Sequence, residues 1–218
     1  MNDPVLSAVC PLCQHRDLYP LRWRSQTYLR CRHCQMVHLP RVHCLSEREE
    51  KAEYDRHCND PDDPGYRRFL SRSLAQVTKR VMPPAMGLDF GCGPGPALVK
   101  MAEEQGYVMQ AYDKFYAPDE TVWQHAYDFI TCTEVVEHLA HPLPILDRLW
   151  SLLRPDGLLV IQTKRVLDDA RFVQWHYPND PTHITFFAEN SFQWLAQRWQ
   201  TGEHFPCQDV AVFCKTRG

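Results

Sequence analysis

The stretch Met86-Gly87-Leu88-Asp89-Phe90-Gly91-Cys92-Gly93-Pro94-Gly95 decides the fold. A short apolar run, Leu88 and Phe90, ends in three glycines at alternate positions, and Ala97-Leu98-Val99-Lys100-Met101-Ala102 continues as a helix. Strand, tight glycine turn and helix make up the element with which doubly wound α/β sheets bind nucleotides at the carboxyl end of the first strand. The glycine spacing selects among nucleotides. A dinucleotide fingerprint needs G-x-G-x-x-G, so that a pyrophosphate can sit on the helix N-terminus. Here the pattern is G-x-G-x-G, and Pro96 stands where the third fingerprint glycine would fall. A wide turn with an acid, Asp89, at its start suits a cationic ligand without phosphates. A glycine turn that serves the backbone alone is the alternative.

The chain beyond the turn keeps alternating. Gly106 ends the helix, and residues 107–112 read as a second strand. Asp113 follows, where the fold places an acid that accepts both ribose hydroxyls. The next clear strand is 128–133, so the segment between is too short for a full helix and a third strand. The spacing predicts a truncated helix with a short strand near 121–123, which opens the adenine side of the pocket. Residues 144–153 form an amphipathic helix, 158–163 a strand, and 191–199 a helix. Residues 202–205 and 210–214 are the sixth and seventh strands, the last antiparallel.

Asp-Phe-Gly-Cys-Gly-Pro-Gly resembles motif I of the class I S-adenosylmethionine (SAM) methyltransferases. Asp113 resembles their motif II acid, and Leu152-Leu-Arg-Pro-Asp-Gly157 resembles the turn before their fifth strand. The resemblance runs from about Tyr66 to the C-terminus. It implies an α/β, doubly wound, Rossmann-like sheet of seven strands, truncated around the third. It also implies SAM as cofactor, bound by Asp89, Gly91, Cys92, Gly93, Gly95, Asp113 and Thr133.

Upstream lie Cys10-Pro-Leu-Cys13 and Cys31-Arg-His-Cys34, two C-x₂-C knuckles with seventeen residues between them. Each knuckle directs two thiolates at one point, and two knuckles supply the four soft ligands of a closed structural zinc site. Gln14 and Gln35 replace the glycine usual after each knuckle. So short a ribbon buries little apolar surface, and the metal supplies much of its folding free energy. Arg16, Arg22, Arg24, Arg30, Arg32 and Arg41, interleaved with Trp23 and Tyr28, form a candidate nucleic-acid face. Zinc with four thiolates carries a formal double negative charge, which offsets part of that excess. Ser46-Glu-Arg-Glu49 is a capping box that starts a helix reaching about residue 57. Asp60-Pro-Asp-Asp-Pro-Gly65 breaks the chain. Tyr66, Phe69, Leu70, Leu74, Val77 and Val81 then recur at helical spacing up to Pro83-Pro84. In methyltransferases this region often covers the active site, which makes Tyr54 and Tyr66 candidate substrate contacts. The organisation expected is a zinc ribbon over 1–45, a helical connector over 46–65 and a methyltransferase domain over 66–218.

Directly after the 128–133 strand comes Glu134-Val-Val-Glu137-His138. On a helix, positions i, i+3 and i+4 share one face, so two carboxylates and an imidazole converge. His183 falls in a loop after the fifth strand that reaches over the cofactor's methyl. The E-x-x-E-H motif with a distal histidine is similar to the metal site of ubiquinone-biosynthesis O-methyltransferases and small-RNA 2′-O-methyltransferases. That resemblance implies Glu134, Glu137, His138 and His183 as ligands of Mg²⁺, Mn²⁺ or a transition metal. It assigns catalysis to His183, Glu134 and His138. The alternative is a first acid that caps the cofactor site, a packed His138 and His183 as a lone base or loop anchor.

The chain of 218 residues holds one ordinary domain plus a small module, and 44% hydrophobic content supports a real core. No apolar run approaches membrane-spanning length and no signal-peptide pattern opens the chain, so a cytoplasmic protein is expected. Ten cysteines in that setting read as thiols and metal ligands, not disulfides. A net charge of −3 excludes a globally basic nucleic-acid binder. The function expected is SAM-dependent methyl transfer to an oxygen of a small molecule. Two alternatives stay open: an RNA methyltransferase that uses the ribbon for RNA contact, and a catalytically silent SAM-binding module that docks a partner.

Overall fold

The computed structural model describes residues 9–56 and 59–216. Leu18–Trp23 (β1) and Gln26–Cys31 (β2) form an antiparallel hairpin, and Val37–His38 (β3) pairs with β2. Helices Glu47–Tyr54 (α1) and Pro64–Thr78 (α2) lead to Met86–Phe90 (β4). Ala97–Glu103 (α3), Val108–Tyr112 (β5), Tyr127–Thr133 (β6) and Pro142–Leu152 (α4) follow. Leu153–Gln162 (β7), Asp169–Gln174 (α5) and Thr185–Phe186 (β8) come next. Glu189–Arg198 (α6), Glu203–Cys207 (β9) and Val210–Cys214 (β10) complete the chain.

The main sheet runs β5-β4-β6-β7-β10-β9, with β5, β4, β6 and β7 parallel and β10 antiparallel to both its neighbours. Its central strands are buried on both faces, which explains their continuous apolar sequences. Phe129, Leu158, Val160 and Val212 pack with Leu70, Leu74 and Leu98 under α2 and α3. The alternate residues Ile130, Leu159, Ile161 and Phe213 pack with Leu146, Leu149 and Leu195 from α4 and α6. Between Tyr127 and Phe129 the partner strand loops out residues 154–157 as a bulge, with Asp156 at φ +65°.

Truncation removes the third strand entirely, leaving six strands in the sheet among the described residues. Where the sequence predicts a short strand near 121–123, the chain forms a 3₁₀ turn over Glu120–Gln124. Asp119 starts that turn by accepting hydrogen bonds from the Thr121 amide (2.9 Å) and hydroxyl (2.7 Å). Such side-chain bonding satisfies the backbone locally and removes the need for a strand partner.

The cysteine module is not a detached bead. Its β3 pairs antiparallel with β8, Val37 opposite Phe186 and His38 opposite Thr185, to give a second sheet in the order β1-β2-β3-β8. Leu12 and Met36 are fully buried in the same apolar cluster as Ile130 and Phe213. Arg30 is 5% exposed and donates to Asp169 (2.6 Å) and to the Leu167 carbonyl (3.2 Å). Trp23 and Tyr28 are buried too, so these three members of the expected basic and aromatic face point inward.

The capping box at Ser46 is present, and α1 ends at Tyr54 rather than near residue 57, which lies outside the described residues. Residues 59–61 then cross the glycine turn closely. A Cβ on Gly95 would sit 2.0 Å from the Asn59 carbonyl oxygen, so this glycine is required by the approach of the connector. No helix among the described residues is long and apolar enough to cross a membrane.

Candidate functional site

The glycine turn is held by the end of the neighbouring strand. The amides of Gly91 (2.7 Å) and Cys92 (3.2 Å) donate to the Tyr112 carbonyl. Gly91 and Gly93 adopt φ +80° and +65°, a region glycine enters without strain. The Gly93 amide donates to Asp113 Oδ2 (3.1 Å), while Phe115 (2.8 Å) and Tyr116 (3.1 Å) donate to Oδ1. Oδ2 therefore keeps acceptor capacity for a ligand hydroxyl.

A cavity of about 570 Å³ opens over this turn, a size suited to a nucleoside-bearing ligand. Gly91, Cys92, Gly93, Asp113 and Thr133 line it, whereas Asp89 and Gly95 stand behind its wall. Asp89 is buried and accepts the Thr131 hydroxyl (2.7 Å). Burial pushes Asp89 up to about 6 against the effect of that hydrogen bond. Burial likewise pushes the Cys92 thiol up to about 12, so it lines the cavity as a neutral thiol.

The side expected to be open is instead walled by aromatic rings. Phe90 stacks on Tyr112 at 5.5 Å, and Trp123 meets Tyr112 edge-on at 5.0 Å. The Arg148 guanidinium lies 3.7 Å over the Trp123 ring. A tryptophan inside an abnormally short crossover was the signal for this wall. Opposite, α1 lies across the mouth. Lys114 pairs with Glu50 (2.6 Å), Tyr116 donates to Asp55 (2.7 Å), and Tyr54 packs 5.2 Å from His138. Tyr54 and Tyr66 both line the cavity.

The motif after β6 does not form the α-helix expected of it. Glu134 sits at φ +52° and only Val136–His138 makes a 3₁₀ turn, so the i, i+3, i+4 face never forms. Instead the Tyr177 hydroxyl lies between the two acids, 3.0 Å from Glu134 and in contact with Glu137. Tyr177 was not anticipated, because nothing in its local sequence marks it. Burial raises the pKa of both acids, and Glu134 raises Glu137 further. Glu134 Oε1 and Glu137 Oε2 are buried without a hydrogen-bond partner.

His138 Nδ1 donates to the Thr182 carbonyl (3.1 Å) and His183 Nδ1 to the Tyr177 carbonyl (2.9 Å). A carbonyl only accepts, so Nδ1 of each imidazole carries a proton, and His183 Nε2 lies 3.7 Å from Asp180 Oδ2. The two imidazole rings meet edge-on at 4.7 Å, and both line the cavity. Glu137, His138 and His183 bring ligand atoms within 4.8 Å of one another, and Glu134 is not part of that set. A buried carboxylate oxygen without a hydrogen-bond partner beside two imidazoles is a donor set that fits a divalent cation.

Cys10, Cys13, Cys31 and Cys34 converge in the same way and are all buried. Cys10 Sγ lies 3.5 Å from Cys34 Sγ, and Cys13 Sγ 3.5 Å from Cys31 Sγ. A tetrahedral zinc with Zn–S bonds of about 2.3 Å sets sulfurs about 3.8 Å apart, so this donor set fits zinc. Gln14 and Gln35 adopt φ +64° and +61°, the conformation a glycine would take after each knuckle.

Residues 66–200 match the family model described as a methyltransferase domain. Among curated proteins, a ubiquinone biosynthesis O-methyltransferase of Actinobacillus pleuropneumoniae serotype 7 is 32% identical over 99 residues, 44% of this chain and 41% of that protein. A protein of the same name from Yersinia enterocolitica is 31% identical over 119 residues, 44% of this chain and 46% of its own length. The chain thus spans less than half the length of these curated relatives. Among solved structures, 1,6-didemethyltoxoflavin-N1-methyltransferase of Burkholderia thailandensis superposes with a TM-score of 0.52 at 19% identity. That match covers 84% of this chain and 96% of that one. At this identity the likeness concerns the fold.

Two outcomes follow from the geometry. Because the folded chain raises Asp89, it holds that proton more tightly than the unfolded chain, and stability is lost as pH rises from the ordinary carboxylate range through about 6. Unfolding free energies from denaturant titrations at pH 4.5 and 7 should show wild type losing about 2 kcal/mol more than Asp89→Asn over that span. Equal losses would refute the assignment. Elemental analysis should find about one zinc per chain, and Cys31→Ser should release it. A metal-free protein with four titratable thiols at these positions would exclude the site.

Proposed function

The chain belongs to the methyltransferase-domain family, and on that premise we propose that it transfers the methyl group of SAM to an oxygen of a small polar acceptor. One observation carries the reading: a single cavity joins the glycine turn and Asp113 to the imidazoles of His138 and His183. Its charges suit a cationic ligand without phosphates. Asp113, Glu134 and Asp180 line it, while Lys114 is paired with Glu50 and Arg148 is stacked on Trp123. Asp113 Oδ2 would take a ribose hydroxyl, with the Phe90, Tyr112 and Trp123 rings offering an aromatic wall to a base.

SAM, when bound, supplies a methyl group activated on a sulfonium, whose thioether leaving group needs no acid. The protein therefore has to position the acceptor, exclude water and remove one proton. Nε2 of His183 or His138 takes the proton from the acceptor hydroxyl, in the tautomer that the Tyr177 and Thr182 carbonyls impose. Tyr54, packed against His138, keeps water from that end.

A second cavity of about 400 Å³ meets the first at His138, Leu139, Lys114 and Glu50. We assign the body of the acceptor to it, with the reacting hydroxyl reaching past His138 into the first cavity, which His183 lines. The outer wall of the second cavity includes Arg41 and Glu47, and a space so small and so charged suits a polar metabolite better than an RNA strand. The inward-facing Arg30, Trp23 and Tyr28 support the same choice. A second reading gives Glu137, His138 and His183 to a divalent cation, whose Lewis acidity toward the acceptor hydroxyl would replace the imidazole base; the unpartnered Glu137 Oε2 favours it.

Calorimetry should detect binding of S-adenosylhomocysteine, and Asp113→Ala should weaken it by about tenfold or more. Binding of NAD with no response to S-adenosylhomocysteine would end the proposal. With an acceptor found by metabolite screening, His183→Ala should lower kcat by about 10²–10⁴. If the cation is present, chelation should abolish turnover without displacing S-adenosylhomocysteine, and Glu137→Gln with His183→Ala should be less than additive. Turnover that survives chelation removes the cation and leaves the histidine base.

A further inference from the structure

The strand that carries His183 into the site has no means of holding itself. β8 is two residues long and begins two residues after His183. On one side it leans on the turn after β6: the Ile184 amide donates to the Glu137 carbonyl (2.8 Å) and the Thr185 hydroxyl to the Val136 carbonyl (2.8 Å). On its other side the ladder partner is β3, again two residues, with the Leu39 amide donating to the Ile184 carbonyl (2.7 Å). Strands of this length are not stable alone, so each depends on what fixes its ends.

β3 pairs with β2 along its other edge, and the second cysteine knuckle, which closes the turn between β2 and β3, sets where it starts. The Cys31 amide donates to the Met36 carbonyl (2.9 Å), and the Gln35 amide to the Cys31 carbonyl (3.0 Å), closing the turn that delivers the chain into Val37. The same knuckle reaches the catalytic side a second time. The fully buried Ser191 hydroxyl donates to the Cys34 carbonyl (2.8 Å) and accepts from the Ala188 amide (3.0 Å), two residues beyond β8. One knuckle thus grips the His183 loop on both sides of β8. The glycine turn and Asp113 share none of these bonds.

We infer that the four-cysteine centre is a positioning device for His183, acting through β3, β8 and the Ser191–Cys34 bond. The inference rests on the proposed role of His183 as base. It assigns the module a task besides its own folding: loss of the metal loosens the catalytic end of the cavity and spares the cofactor end. Val37, Leu39 and Ser191 are positioning residues in this scheme.

The test uses the full chain, zinc-loaded and after zinc removal by a chelator, with three readouts. They are amide exchange at Leu39 and Ile184 against Leu88 in β4, the imidazole resonances of His183, and calorimetric S-adenosylhomocysteine affinity. Zinc removal should speed exchange at Leu39 and Ile184 by about tenfold or more and shift the His183 resonances. Leu88 exchange and S-adenosylhomocysteine affinity should stay within about twofold. Leu39→Pro, which removes the amide that bonds Ile184 and keeps all four cysteines, should reproduce the exchange at Ile184 and the His183 shift with zinc still bound. Zinc restored to the stripped wild type should reverse both changes. Unchanged Ile184 exchange and His183 resonances in the metal-free protein would overturn the inference. So would affinity for S-adenosylhomocysteine lost in step with the metal, because the centre would then support the whole fold. Failure of the zinc-loaded protein to bind S-adenosylhomocysteine would count against the methyltransferase reading alone.

Discussion

Asp113 accepts three backbone amides, one from the glycine turn after β4 and two from the segment after β5. A carboxylate can satisfy several donors at once, and charge-assisted bonds of this kind are about twice as strong as neutral ones. The arrangement ties the two loops at the carboxyl ends of adjacent parallel strands to each other. Everything on the cofactor side follows from that junction. The turn is held in its left-handed conformation, beside the Phe90–Tyr112 pair that the β4–β5 ladder sets in register, and residues 59–61 have a fixed surface to cross. Methyl transfer asks a protein chiefly for placement, and a rigid junction here supplies it at the cofactor end.

The other end of the cavity obeys a constraint of proton counting. One phenol hydroxyl carries one proton, yet Tyr177 lies against two buried carboxyls. Two negative charges so close in a dry environment repel, so the pair must hold a further proton or share a cation. The histidines beside it are oriented by backbone carbonyls, whichever way that choice is made. Tyr177 joins the two ends: its carbonyl holds His183 and its hydroxyl bridges the acids.

The class of fold and the cofactor end were legible because their signals are local. Leu88 to Gly95 specifies its own strand and turn, and Asp113 follows at a distance the fold dictates. The cysteine knuckles are local as well. What could not be seen came from contacts between distant residues. The helix expected at Glu134–His138 fails because Glu134 enters the left-handed region, a choice enforced by Tyr177 and by the Glu134 amide's bond to the Gln162 carbonyl. The pairing of β3 with β8 joins two-residue strands from opposite ends of the chain, and two residues carry no periodicity to read. Trp123 closing the aromatic wall needed a tertiary position that spacing alone does not supply.

The missing third strand has a cost elsewhere in the sheet. β5 is the terminal strand of the sheet, and no strand pairs with its outer edge among the described residues. Exposed edges invite pairing with another chain, and proteins blunt them with short or covered strands. β5 is only five residues long, and the chain doubles back at its end through the Asp113–Ala117 bridge before the 3₁₀ turn. Val108, at the open start of the strand, is 60% exposed. The compact crossover therefore does two jobs with one short segment: it supplies the ring that walls the cavity, and it stops the sheet from growing.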